Sequence, residues 1–394
     1  MKKIGIAFAI IFALVAAWAA AAWYNGTRLE TKTADLVTRI NAVWAEALTE
    51  AQMPEGSKLE IKQTSYERGI FSSHARFVIQ MQMAESFGLV EEGQPVTALP
   101  IAEYDATIWH GPFPLGALQQ GMILPRRFQS HGTLQGVGTF KMAMDAVLAG
   151  KPLLTLDFGC SYSRHCTGEG STPPVNFDMR PISQNMITFG GTQAKFDLDY
   201  RSDVDYTGTF DLKLLPLTIG GQNFGSGQIS AAGDAQSANE TISWQTDQGA
   251  SKIVVALTTN SPVSMWSSVK PEDLPTLIKT ASLKLEVSKP MIIDLVARAV
   301  SLSDGMDLAN AREMATAEFD EMWGSSPDAQ EFVRAEGEML ISEWQYNGDT
   351  LVVNGKDHSE MLEMFKSGMR DAGQPDAPVM NEESDPDGGE AAAE

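Results

Sequence analysis

The sequence predicts a strand-rich α+β protein. It has an N-terminal transmembrane helix, then a large, curved antiparallel β-sheet, then a mostly helical C-terminal subregion. Three observations predict this fold. The chain opens with an uncharged apolar run, many short stretches of its middle alternate between polar and apolar residues, and helical patterning returns near residue 290. Alternation of this kind is typical of antiparallel sheets with one solvated face.

The first element is an anchor predicted over residues 1–27. Two lysines precede an uncharged run over residues 4–22, and a helix of that length rises about 28 Å, close to the hydrocarbon thickness of a bilayer. Trp23 and Tyr24 follow, where an interfacial aromatic belt would lie. We therefore expect residues 4–24 to contact the bacterial inner membrane, with a cytoplasmic N-terminus and the bulk of the chain in the periplasm.

The competing interpretation of this segment is a cleaved signal peptide. Residues 4–15 would be its apolar region and Ala20-Ala21-Ala22 its cleavage site. The apolar run continues through these alanines and ends at two bulky aromatic residues, which favours a retained anchor. Both interpretations place the rest of the chain outside the cytoplasm.

Residues 28–370 are predicted to form one periplasmic domain. An amphipathic helix over residues 28–52 leads into strands that dominate residues 58–288. Helices follow over residues 290–340, and a hairpin with a short helix completes the domain over residues 341–370.

Turn chemistry predicts two hairpins within this domain. The runs 58–66 and 74–83 alternate on either side of Gly69, and Asn347-Gly348 separates two apolar runs. Residues 139–150 are interpreted as another of the short strands of the middle region.

Charge excludes one class of partner. The formal net charge is −22 at pH 7 over 394 residues, which argues against nucleic-acid binding. Residues 371–394 carry eight acidic and no basic residues. That segment has too few apolar residues to offset its ordering entropy, so an acidic disordered tail is predicted there.

The two cysteines bracket a short turn. In an oxidising compartment, Cys160 and Cys166 most simply form a disulfide. Unpaired thiols, a redox pair and metal binding together with His165 remain alternatives, although the spacing is neither C-x-x-C nor a usual zinc pattern.

No catalytic motif is recognisable. The sequence contains no G-x-S-x-G, H-E-x-x-H or phosphate-binding loop. The five histidines are scattered and are expected to be structural or at the surface: His74, His110, His131, His165 and His358. We therefore expect no catalytic residue, no metal and no cofactor.

Two segments nevertheless have unusual local chemistry. They are YERGIFSSHARF over residues 66–77 and WHGPFPLGAL over residues 109–118. Glycine beside proline marks a backbone that turns sharply and approaches its neighbours closely. Each segment is either a structural corner or a recognition corner for a partner or lipid. The candidate recognition residues are Tyr66, Glu67, Arg68, Gly69, Phe71, His110, Gly111, Pro112, Phe113 and Pro114.

These segments also resemble the bacterial YdgA-like family, a domain of unknown function in cell envelopes. The matching residues are Ala22-Trp23-Tyr24 with Gly26 and Glu30, then residues 65–69, 71–73, 75–76, 110–114 and 351–355. The resemblance implies an inner-membrane anchor with a large periplasmic part. It supplies no catalytic residues, and neither the cysteine pair nor the acidic tail belongs to it.

The combined expectation is a non-enzymatic, inner-membrane-anchored periplasmic protein that binds lipid or another hydrophobic ligand along its sheet. A protein–protein interaction module or homodimer is the alternative, and an uncharacterised hydrolase is the third hypothesis. A sheet whose apolar face is fully covered would exclude the lipid hypothesis.

Overall fold

The computed structural model describes residues 2–54, 56–82, 98–119, 121–178, 186–264 and 273–363, and for residues 2–15 it describes the backbone alone. The predicted tail over residues 371–394 therefore lies outside the described residues.

One helix joins the two helical segments that the sequence predicts near the N-terminus. Helix α1 (Lys2–Glu50) runs for 49 residues, without a break between residues 1–27 and residues 28–52. Across the described part of the chain, no helix has the length and apolarity needed to cross a membrane. Most of the predicted run over residues 4–22 falls where side chains are not described.

Eighteen strands in the described residues form one antiparallel sheet, which confirms a strand-rich α+β fold. Their bounds are β1 (Lys58–Arg68), β2 (Ser72–Gln82), β3 (Leu99–His110), β4 (Arg126–Gly136), β5 (Leu154–Ser161), β6 (His165–Thr172), β7 (Val175–Asp178), β8 (Met186–Phe189), β9 (Thr192–Ser202), β10 (Asp205–Ile219), β11 (Gln222–Asp234), β12 (Ser237–Thr246), β13 (Gly249–Thr259), β14 (Ile278–Ser288), β15 (Arg334–Glu336), β16 (Met339–Tyr346), β17 (Leu351–Val353) and β18 (Lys356–Asp357).

The sheet is a long meander in which neighbours in sequence are usually neighbours in space. Each strand from β1 to β6 pairs with the next, as does each strand from β9 to β14. β6 pairs with β9, and β14 pairs with β16. The β7–β8 hairpin lies beside the end of β10, while β15 and β17 share the outer edge of β16.

The other described helices interrupt or follow this meander. They are α2 (Leu115–Gln119), α3 (Gly138–Leu148), α4 (Leu274–Leu277), α5 (Lys289–Asp304), α6 (Leu308–Ser325) and α7 (Pro327–Phe332). Local chemistry sets the bounds of α5. The Ser288 side chain accepts a hydrogen bond from the Met291 amide, and Gly305 ends the helix with φ +68°.

Two of the predicted elements are wrong. Residues 139–150 form most of helix α3 instead of a strand, because Phe140, Met144 and Leu148 lie at helical spacing and left-handed Ala149 ends the helix. The predicted helical subregion 290–340 ends early as well, since α7 stops at Phe332.

The residues after α7 form the hairpin β15–β16. Gly337, with φ +60°, lies in its two-residue turn, and Glu336 pairs with Met339 across it. Both predicted hairpins are confirmed. The Gly69 amide donates to the Ser72 carbonyl at 2.8 Å, and Tyr346 pairs with Leu351 across a loop of four residues.

The sheet bends around α1. Two nearby side chains of this helix reach parts of the sheet that lie far apart in strand order. Arg39 pairs with Asp203 in the β9–β10 turn at 3.1 Å, whereas Asn41 bonds both backbone groups of Ile61 in β1. In a flat sheet β1 and β9 would be about 29 Å apart, while a helix is only about 10–12 Å wide. The sheet must therefore curve.

Buried apolar residues form two clusters at opposite ends of the molecule. One cluster lies where α1 covers β1–β4 and contains Ala75, Phe77 and Ile108. The other lies between α5 and α6 and contains Ile293, Ala297, Ala311, Ala315 and Phe319.

Candidate functional site

The two unusual corners that the sequence singles out meet on helix α1. Arg68, at the end of β1, donates to Glu30 at 3.0 Å and to Thr27 at 3.1 Å. Its guanidinium also lies over the Trp23 ring, 5.4 Å from the ring centroid. The first corner therefore holds the helix where it leaves the predicted anchor.

Aromatic and imidazole rings extend this contact toward the N-terminus of the helix. The Phe71 ring lies 4.7 Å from the Trp18 ring. His110 donates through Nδ1 to the Ala22 carbonyl at 2.8 Å, and its Nε2 accepts from the Ser73 hydroxyl at 3.0 Å. The His110 amide donates to the Phe71 carbonyl at 3.0 Å, which joins the two corners to each other. We call these contacts of α1 with residues 68–73 and 110–111 the helix clamp.

Two glycines make this close approach feasible. A Cβ on Gly26 would lie 2.7 Å from Cε1 of His110, and a Cβ on Gly111 would lie 2.9 Å from the Ala22 Cβ. Gly111 also has φ +119°, which side chains disfavour. Glycine is therefore needed on both sides of the helix clamp.

Burial disfavours the charged form of the imidazole in the helix clamp. It lowers the pKa of His110 from its ordinary value, against the smaller opposing effects of hydrogen bonds to the Ala22 and Ser72 backbone. Both ring nitrogens have partners in the neutral form, since a carbonyl can only accept and the Ser73 hydroxyl can donate.

The Ser73 hydroxyl and the His110 ring are spaced like a nucleophile and its general base, but both side chains are buried. Ser73 is fully buried and His110 is 1% exposed, beneath α1. The partner of Nδ1 is a backbone carbonyl, whereas hydrolase triads use a carboxylate there. The pair can hold the helix but has no access to a substrate.

The remaining candidate residues divide between interior and surface. Tyr66 packs in the cluster under α1, where burial raises the pKa of its hydroxyl, and Pro114 is fully buried. The Pro112 carbonyl accepts from the Arg126 amide at 3.1 Å. Glu67 and Phe113 are exposed.

The β5–β6 turn adds a third contact to α1. Cys160 and Cys166 are joined by a disulfide across directly paired strand positions. Within the turn that they close, the Tyr162 hydroxyl accepts from the Asn25 amide at 2.7 Å.

The middle of the sheet differs, because the described elements leave its apolar side accessible. Residues that pair directly across an antiparallel ladder face the same side. One row of such residues runs through Leu212, Ile229, Ile242, Ile253 and Leu285. The neighbouring row runs through Phe196, Phe210, Ala231, Glu240, Val255 and Leu283, so it is apolar except at Glu240. Every one of these side chains is half-buried or exposed. Phe210 keeps 38% of its surface exposed, and Ile242 and Leu283 keep 37% each.

We call this surface the open face. Its members on β9–β14 are Phe196, Leu198, Phe210, Leu212, Leu214, Ile229, Ile242, Trp244, Ile253, Val255, Leu257, Leu283, Leu285 and Val287. Its extent is roughly 30 Å by 20 Å, or about 600 Å², which equals the largest apolar patches that monomers expose.

The other side of the same strands is polar. The row that contains Lys195 and Asp211 continues through Ser230 and Thr241 to Lys284 and Glu343. A groove of about 330 Å³ on this side has no carboxylate, imidazole or thiol in its described lining, which includes Asn239, Thr258 and Thr280.

The described residues hold no group of three or more His, Cys, Asp and Glu side chains arranged for a metal ion. His131 pairs with Asp157 and His165 with Asp199, each at 3.1 Å on exposed surface, and His74 contacts Thr107. These are pairs across neighbouring strands, and none of the three histidines contributes to the helix clamp.

Comparison with known sequences identifies the family. A family model described as "Bacterial protein of unknown function (DUF945)" matches residues 1–242 and 231–361. The chain belongs to this family. It is 26% identical to "Protein YdgA" of Escherichia coli K12 over 199 residues, which are 50% of this chain and 36% of that protein. It is 29% identical to an "Uncharacterized protein" of Haemophilus influenzae over 163 residues, 41% of this chain and 40% of that protein.

The matched part thus spans less than half the length of these curated relatives. The DUF945 match confirms the YdgA-like resemblance. The helix clamp consists largely of residues that carry the resemblance, among them Ala22, Gly26, Glu30 and Arg68, together with His110.

Sequence reasoning found both corners but not what they contact. Ala22, Asn25 and Gly26 lie at helical spacing, and all three are buried in the structure. These small or polar residues beside the apolar run were the sequence signal for a contact face on the helix. The open face was visible only as separate alternating runs, since strand order is needed to align their apolar sides.

Proposed function

We propose that this chain is a non-enzymatic, inner-membrane-anchored periplasmic protein that binds lipid acyl chains on the open face. The observation that carries the proposal is this apolar surface, aligned over six neighbouring strands and left accessible by the described residues. Acyl chains are the ligand class that matches it, because apart from Glu240 the surface offers apolar contact and few hydrogen bonds.

The anchor is the second part of the proposal. Residues 4–22 are uncharged and long enough to span a bilayer, and Trp23 and Tyr24 are each about half exposed at the next two positions of α1. The helix clamp would then hold the sheet at the periplasmic surface of the membrane, where lipid is available.

Native mass spectrometry of the full chain extracted from membranes tests both parts. We expect bound lipid, and an intact mass that includes residues 1–22. Phe210→Asp and Ile242→Asp put a charge on the open face and should lower lipid occupancy about tenfold, a change of 1.4 kcal/mol.

Thr209→Asp and Asn239→Asp are the matched controls, since they lie on the same strands and face the polar side. Equal lipid occupancy in all four variants, or no bound lipid in the parent chain, would refute binding on the open face. An intact mass that begins after residue 22 would refute the anchor alone.

A homodimer through the open face is the alternative. It is less favoured, because standard interfaces bury about 800 Å² on each partner and the open face offers about 600 Å². A lipid-free dimer in the same spectrum, disrupted by Phe210→Asp, would support this alternative.

A further inference from the structure

A second exposed apolar surface lies beside the helix clamp. It belongs to the connection between β3 and β4 and the first two residues of β4. We call its described residues, 111–119 and 121–127, the tip. Ile123 and Leu124 keep 77% and 75% of their surface exposed, and Phe113, Leu115 and Leu118 are exposed as well. Five exposed large apolar side chains in one connection have no role in the fold or on the open face.

The backbone of the tip is packed against the rest of the protein. Pro114, Gly116 and Ala117 are buried. A Cβ on Gly116 would lie 2.2 Å from the Trp109 ring, so α2 packs directly on that ring. The Met122 amide donates to the Ala117 carbonyl at 2.9 Å. The backbone of the tip is thus held against β3, while its large apolar side chains stay exposed.

The contacts of the tip with α1 indicate where it lies relative to the bilayer. Gly111, its first residue, contacts Ala22, and the neighbouring Phe71 reaches Trp18, one helical turn earlier. If residues 4–22 span the bilayer, as proposed above, these contacts lie at its periplasmic interface. That interface is about 5–7 Å deep on each side of the hydrocarbon core.

Charge in this region fits a membrane surface. The chain carries a net charge of −22, yet it has no Asp or Glu between residues 106 and 144. Arg127, at the end of the tip, is exposed, and its guanidinium lies over the Tyr162 ring. A cation beside exposed apolar residues matches the anionic headgroup and acyl boundary of a bilayer.

We propose that the tip is a second membrane contact, inserted into the periplasmic leaflet beside α1. It rests on the proposed anchor, and it fixes the sheet against the bilayer at two points. One helix alone would leave the sheet free to rotate and tilt. Two contacts keep one orientation, with the polar and open faces at set angles to the membrane.

Photo-crosslinking tests this contact. The full chain is reconstituted in vesicles of phosphatidylcholine and phosphatidylglycerol, with Ile123→benzoylphenylalanine as the probe. Met142→benzoylphenylalanine is the matched control, because Met142 is 71% exposed on α3, at the opposite end of the strands. After irradiation, intact mass measures the fraction of chain that carries a lipid adduct.

We expect at least about a tenfold larger adduct fraction at Ile123 than at Met142, and Leu124→benzoylphenylalanine should repeat the result. Equal fractions, or no adduct at either tip position, would overturn the proposal. A third probe at Phe210 reports on the open face, so failure of lipid binding there is seen separately. Arg127→Glu should lower the Ile123 adduct in the mixed vesicles and leave it unchanged in phosphatidylcholine alone, and an unchanged adduct in both would remove Arg127 from the contact.

Discussion

The covered end of the sheet and its open middle have the same sequence pattern but different surroundings. In β1–β4 the apolar positions Ala75, Phe77 and Ile108 lie under α1 and are buried. In β9–β14 the equivalent positions, such as Phe210 and Ile242, keep more than a third of their surface exposed. Alternation thus makes a strand amphipathic, but a second element must supply the cover. Where no described element does, the apolar side is available to a ligand.

The largest expected difference between the two regions comes from removing one phenylalanine in each. Phe77→Ala should lower the free energy of unfolding by about 3–5 kcal/mol, because it empties a packed site. Phe210→Ala should cost less, about 1–2 kcal/mol, since 38% of its surface is already exposed and the truncation leaves no enclosed cavity. Urea unfolding of delipidated protein measures both. Equal losses would mean that the open face is packed in solution.

The helical end of the molecule is held by buried ion pairs, unlike either region of the sheet. Asp294, only 1% exposed, accepts from Arg298 at 2.6 Å and also pairs with Arg312. Asp294→Asn should cost about 3 kcal/mol, because it removes the buried negative charge that both guanidiniums share and leaves Arg298 with Asp247 alone.

The control for that variant is an ion pair on the surface of the open middle. Glu169 and Lys195 contact at 2.7 Å but are each 67% exposed, so Glu169→Gln should change stability by less than about 1 kcal/mol. Equal losses of unfolding free energy in the two variants would mean that burial does not determine how strongly the Asp294 ion pairs stabilise the fold.

The helix clamp can be tested with two glycines that both lie in helices. Gly26→Ala should cost about 1–3 kcal/mol, because the new Cβ meets the His110 ring. Gly324→Ala, in α6, has nothing within 4 Å of the added Cβ and should stabilise the protein by about 0.5–1 kcal/mol. Thermal unfolding separates the two. A neutral Gly26→Ala would mean that α1 does not pack on His110 in solution.

The smallest expected effect is a pH dependence at the covered end. Burial lowers the pKa of His110 in the folded protein, so the unfolded chain takes up a proton first as pH falls. The contribution of His110 to stability is therefore complete above about pH 6.5, the unfolded value. It declines as pH falls toward the folded pKa.

The measurement is the free energy of unfolding across this pH range, for the parent chain and for His110→Gln. The variant should lose less stability on acidification. Parallel pH profiles would show that His110 is not buried as a neutral ring. Phe210→Ala should keep the parent profile, since the open face holds no histidine among its described members.

Local patterns in the sequence were sufficient for most of the strands and for both hairpins. Gly348 suits its turn because its φ is +94°, and Gly69 suits its turn because an added Cβ would lie 2.8 Å from the Ser72 carbonyl oxygen. The same reasoning failed for residues 139–150, where Lys141, Ala143 and Asp145 alternate with apolar residues yet the segment is a helix. A segment of about eleven residues can fit both the two-residue period of a strand and the 3.6-residue period of a helix. Packing against β3 and β4 therefore decides which of the two forms.

From the sequence alone one obtains the apolar N-terminal run, the amphipathic strands and the two corners with close backbone approach. These features depend on residue types at short spacing, which local sterics and burial control. The three-dimensional fold was needed to show that both corners contact α1. It also shows that the apolar sides of β9–β14 align into one surface that the described elements leave accessible. Those outcomes depend on strand order and sheet curvature, which arise from contacts between residues far apart in the chain.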